Sequence, residues 1–104
     1  MVKAIRVHQP GGAEALKYEE VSLEAPAPGE VQIRHRAIGV NFIDIYRRTG
    51  AYPASYPFIP GHEGAGEVLA IGEGVKGFKI GERVAYIGAL GGYSEARNIS
   101  AASL

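Results

Sequence analysis

The chain has 104 residues, room for one domain with a single buried core. Eleven basic and eleven acidic side chains balance, with no block of like charge, which argues against a nucleic-acid footprint or a membrane-attracted face. No cysteine is present, so disulfides and thiolate metal sites are excluded together, and no apolar run approaches a membrane span.

Met1-Val2-Lys3-Ala4-Ile5-Arg6 reaches charged residues at once, without the apolar stretch of a signal peptide, and fits a cytoplasmic protein. Residues 2–8 read as a strand, with Val2, Ala4, Ile5 and Val7 among Lys3, Arg6 and His8. Residues 16–23 read as a second, carrying Leu16, Tyr18, Val21 and Leu23. Both shift phase midway, which predicts a bulge or burial on both faces. Residues 31–37 alternate more cleanly, Val31, Ile33 and Ala37 against Gln32, Arg34 and Arg36. Gly11-Gly12 and Pro26-Ala27-Pro28-Gly29 supply the intervening turns.

The period then changes. Phe42, Ile45, Tyr46 and Thr49 fall at i, i+3, i+4 and i+7, which predicts a short amphipathic helix over 42–49. Asn41 stands at its N-cap, Asp44 three residues on completes a capping pattern, and Gly50 ends it. A loop rich in Tyr and Pro follows over 52–60, where Tyr56, Phe58 and Ile59 read as packing. Strands resume at 67–71, 82–87 and roughly 92–99. Many short strands, glycine turns and one small helix predict a mainly β fold, a closed or partly open β-barrel.

Gly72-Glu73-Gly74-Val75-Lys76-Gly77 spells the dinucleotide pattern G-x-G-x-x-G, but Gly81 and a strand follow too soon for a helix to open there. It reads as a turn. His8 and His35 read as partly exposed strand histidines, and Arg47 and Arg48 as surface charges at a helix C-terminus.

Five segments carry a resemblance: Gln9-Pro10-Gly11-Gly12, Pro28-Gly29-Glu30-Val31, Asn41-Phe42-Ile43-Asp44, Gly61-His62-Glu63-Gly64-Ala65-Gly66 and Gly81-Glu82-Arg83-Val84. Over its whole length the chain resembles the amino-terminal domain of the medium-chain dehydrogenase/reductase family, in its zinc-free, zeta-crystallin-like quinone oxidoreductase branch. In the family's zinc members the motif histidine ligates metal beside a cysteine. Asn41 holds that cysteine's place here, a weak ligand beside a thiolate.

The resemblance implies a GroES-like, partly open β-barrel over 1–104, the catalytic domain of a two-domain α/β reductase. Its Rossmann domain would follow and is absent from this chain. It implies hydride transfer from NADPH to a small-molecule quinone, without zinc, with NADPH held mainly by the missing domain. Asn41, Tyr46 and Tyr52 are the implied catalytic positions, and Asn41, Phe42, Ile43, Tyr46 and His62 the implied cofactor contacts. For Tyr46 a core aromatic on the buried helix face is the competing reading, and for Asn41 a plain N-cap. His62 and Glu63 could equally be structural. A homodimer is implied for the full-length enzyme, and self-association for this chain alone, with apolar surface left uncovered. Other readings are a reductase of α,β-unsaturated carbonyls, a zinc alcohol dehydrogenase, and a non-enzymatic GroES-like binding module.

Overall fold

The computed structural model describes residues 1–104. β1 (Val2–Val7) and β2 (Leu16–Val21) form an antiparallel hairpin through a single 3-10 turn at Ala13–Ala15. β3 (Glu30–Ile38), β4 (Glu63–Ile71), β5 (Arg83–Ile87) and β6 (Ala96–Ser100) make a second antiparallel sheet in the order β5-β4-β3-β6. The residues just before β6 join the two sheets. The Ile5 N–H donates to the Tyr93 carbonyl, Glu95 N–H to Lys3 and His35 N–H to Glu95, so this segment lies between β1 and β3. The result is a partly open barrel with β2 and β5 as its free edges, the mainly β fold predicted.

The main core is Val31 and Ile33 from β3, Val68 from β4, Tyr86 from β5 and Ile99 from β6. Alternation along β3 puts Val31 and Ile33 inside, as their spacing predicts. A smaller core gathers Val7, Ala15 and Phe58, with Tyr56 packed on it, in keeping with the packing role of that loop.

The strands differ from expectation in informative ways. β1 and β2 pair in unbroken register, without the expected bulge. Ala4 and Val7 are both buried instead, because β1 also bridges Ser94 and Phe58 on its other edge. The irregularities fall in the β3–β4 pair, between Gln32 and Ile33 and between His35 and Ala37. β4 begins at Glu63, four residues before the expected start, because Gly64 and Gly66 pair as strand residues where glycine suggests a turn. β6 begins later than expected, at Ala96. Gly72 to Gly77 forms turns and no helix, so the apparent dinucleotide pattern is indeed only a turn.

Candidate functional site

α1 (Phe42–Thr49) has the predicted bounds and ends. Asn41 is extended at the N-cap, and its N–H donates to Asp44 Oδ2 at 3.0 Å. Gly50 closes the helix in the left-handed region at φ 89°. The helix faces the other way from its pattern. Its one buried residue is Asp44, whereas Phe42 is 76% exposed and Ile45 and Tyr46 are also exposed. The core-aromatic reading of Tyr46 is thereby corrected. Polar contacts hold the inner face: Tyr93 Oη–H donates to Asp44 Oδ2 at 2.8 Å, and Tyr56 Oη–H to the Arg47 carbonyl at 3.1 Å.

Arg47 and Arg48 are likewise not free surface charges, and Arg47 Nη1 is buried without a partner. Arg48 Nε–H donates to the Gly11 carbonyl, and the Gly11 N–H returns a bond to the Arg48 carbonyl at 3.0 Å. The helix end is thus tied to the first turn of the chain.

Tyr46 and Tyr52 come together. The Tyr52 N–H donates to the Tyr46 carbonyl at 3.1 Å, and the two rings lie 5.3 Å apart at 48°. Both rings are about half exposed and form a tilted aromatic pair at the helix's outer side.

Asn41 follows the end of β3, and His62 precedes the start of the neighbouring β4. β3 ends at Ile38, paired with Gly64, and the Gly39 N–H donates to the Glu63 carbonyl. A Cβ on Gly39 would lie 2.2 Å from Glu63 Oε1, so the chain leading into Asn41 is pressed against the residue after His62. An open cleft of about 670 Å³ lies there, lined by Ile38, Gly39, Glu63, Gly64 and Ile87 among others. Asn41, Tyr46, Tyr52 and His62 themselves do not line it. Ile43 is half-buried. Asn41 Nδ2 and His62 Nδ1 are buried without a partner, as is Asp44 Oδ1.

The donor set does not fit a catalytic zinc. No three His, Cys, Asp or Glu side chains converge on one point, and the position beside His62 in the motif offers an amide. The orphaned Asn41 amide fits an uncharged polar partner such as a carboxamide.

The glycines of Gly61-His62-Glu63-Gly64-Ala65-Gly66 have steric reasons. Gly61 sits at φ 104° and a Cβ there would meet the Tyr93 ring at 2.7 Å. At Gly66 a Cβ would lie 1.8 Å from the Arg34 carbonyl oxygen.

His35 is a partly exposed strand residue, as expected, and both of its ring nitrogens are hydrogen-bonded. Nδ1–H donates to the Ser94 carbonyl at 2.8 Å, leaving Nε2 to accept from Tyr86 Oη–H at 2.7 Å. Arg97 in turn donates to Tyr86 Oη and to the Ala89 carbonyl. Burial holds the His35 pKa below the usual histidine range, and the Arg97 charge adds to this against the opposing Ser94 bond. His35 shares the phase of Val31 and Ile33 along β3, and Tyr93 carries no sequence signal.

Residues 27–104 match the family described as "Alcohol dehydrogenase GroES-like domain". The chain is 52% identical over 99 residues to a quinone oxidoreductase of Pseudomonas aeruginosa, covering 91% of this chain and 30% of that protein. The structure of Escherichia coli quinone oxidoreductase complexed with NADPH superposes with a TM-score of 0.93 at 46% identity, over 97% of this chain and 32% of that one. A 2-haloacrylate reductase of a Burkholderia species is 42% identical over 102 residues, 93% of this chain and 31% of that protein. The chain spans about a third of the length of these relatives.

Proposed function

The chain belongs to the alcohol dehydrogenase GroES-like domain family of medium-chain dehydrogenases/reductases, and from that premise we propose that it is the catalytic domain of an NADPH-dependent quinone oxidoreductase working without metal. The observation that carries the reading is the aromatic pair Tyr46–Tyr52 beside a capped Asn41 whose buried amide has no partner. When bound, NADPH supplies the hydride, and solvent supplies the proton that completes the hydroquinone.

The protein's own task is positioning and electrostatics. Asn41, with Phe42, Ile43 and His62 around it, faces the nicotinamide and offers it a preorganised hydrogen-bond donor. Tyr46 and Tyr52 shape a slot for a planar ring, where offset aromatic contact adds to burial. Phe42 and Ile45 present an apolar lip suited to being covered by a cofactor-binding domain of the same protein. NADPH is held mainly by that domain, and the likeness to the Escherichia coli enzyme in complex with NADPH supports the choice of cofactor. We propose a homodimer for the full-length enzyme, a cytoplasmic setting, and self-association of residues 1–104 when they stand alone.

A second reading, reduction of α,β-unsaturated carbonyls, is favoured by the similarity to the 2-haloacrylate reductase. That reaction needs a donor to polarise the carbonyl, and the half-exposed Tyr52 hydroxyl offers one.

Following NADPH absorbance in the full-length protein separates these. A simple quinone should drive rapid oxidation that survives dialysis against a chelator. Turnover with haloacrylates but not quinones would favour the second reading. Chelator-sensitive oxidation of alcohols would sink both.

A further inference from the structure

Three stretches of chain meet at Tyr93. Its hydroxyl donates to Asp44 Oδ2 at 2.8 Å, and its ring fills the space that a Cβ on Gly61 would need. Its N–H donates to the Pro60 carbonyl and its carbonyl accepts from Ile5, both at 2.8 Å. Asp44 is 4% exposed, and the same Oδ2 accepts the Asn41 N–H. A carboxylate at this point of a helix is favoured by the amide dipoles, but two donors on one oxygen decide which way it turns.

The consequence is unusual. Asp44 Oδ1, Asn41 Nδ2 and, one turn on, Arg47 Nη1 are all buried and unpaired. Buried polar groups normally find partners, and the Asn41 amide nitrogen is the one of these three that belongs to a motif position. Burial and the Asp44 charge push the Tyr93 pKa far above the usual tyrosine range, so its hydroxyl remains a donor at any working pH.

We propose that Tyr93 is a positioning residue: by clasping the buried Asp44 carboxylate it sets the Asn41 backbone and keeps the Asn41 amide unspent for the nicotinamide. The assignment of a ligand to Asn41 rests on the function proposed above, whereas the clasp rests on the contacts alone.

Tyr93→Phe in the full-length protein removes only the hydroxyl and keeps the ring against Gly61. Turnover should fall about tenfold while the KM for quinone barely moves. In an Asn41→Ala background, which keeps the backbone N–H bond to Asp44 and loses the side chain's half of the capping box, the same change should cost less than about twofold, because the residue it acts through is gone. Equal losses in both backgrounds, or no loss from Asn41→Ala itself, would overturn the positioning role. Hydrogen exchange reads the clasp without any activity. The Asn41 N–H should exchange about tenfold faster in Tyr93→Phe while amides within β4 keep their protection. A protein with no quinone turnover would remove the functional reading, and faster exchange at Asn41 would still uphold the clasp. Unchanged exchange there would overturn it.

Discussion

Gly66→Ala should be among the most damaging single methyl additions in this chain. The new Cβ would start 1.8 Å from the Arg34 carbonyl oxygen, 2.7 Å from the Arg34 carbonyl carbon and 3.0 Å from His35 Cα. All three are backbone atoms, so no rotamer change can relieve the contact. Reaching even a 3.0 Å separation needs a shift of about 1.2 Å between β3 and β4, against a normal strand spacing of roughly 4.8 Å. Overpacking of this kind costs about 1–3 kcal/mol, and weakening one or two ladder hydrogen bonds adds ~1 kcal/mol each. The total, ~2–5 kcal/mol, is a large share of the stability of a small domain, which is about 5–15 kcal/mol. Gly74→Ala is the comparison. It has no contact to make but creates a left-handed alanine, at φ 82°, a strain Gly66→Ala does not carry, and should cost only about 1–2 kcal/mol. Urea titration followed by circular dichroism measures both, and the midpoint for Gly66→Ala should fall far below that for Gly74→Ala. Equal midpoints would refute the steric argument and with it the explanation of this motif glycine.

In the full-length protein, Tyr52→Phe should leave quinone turnover nearly intact, while Tyr52→Ala should weaken quinone binding by roughly 1 kcal/mol from lost aromatic contact. Steady-state kinetics with a bulky quinone decide this, and Phe proving as harmful as Ala would make the hydroxyl chemical. Elemental analysis after mild chelation should find far less than one zinc per chain; a tightly held stoichiometric zinc would contradict the donor geometry. Thermal melts across pH should report His35. Its folded pKa lies below the unfolded value near 6.5, so the unfolded chain binds the extra proton first, and stability should hold above that pH and decline as pH falls below it. His35→Gln should flatten that part of the profile, and an unchanged slope would assign it to other groups.

Legibility in the sequence followed the range of the interactions. The ends of α1 could be read because Asn41, Asp44 and Gly50 act within a few residues of one another. Its orientation could not, since an exposed apolar stripe and a buried aspartate depend on Tyr93, 49 residues beyond Asp44. The alternation of β3 is plain, but its register shifts are set across the sheet, one of them at His35 beside the close approach of Gly66. β4 was read four residues short because its glycines, local turn signals, serve there as points of contact between strands. Tyr46 and Tyr52 were found by resemblance, and their pairing only by the structure.

The outward-facing apolar side of α1 bears on how substitutions accumulate in such chains. On most helices polar positions drift and apolar ones persist. Here the polar Asp44 should be the position that tolerates no exchange, because two donors depend on one of its oxygens. Under the proposal of a covering cofactor-binding domain, Phe42 and Ile45 should instead change in concert with residues on the surface of that domain. Reading covariation outward from these two positions would locate that surface without any further structure.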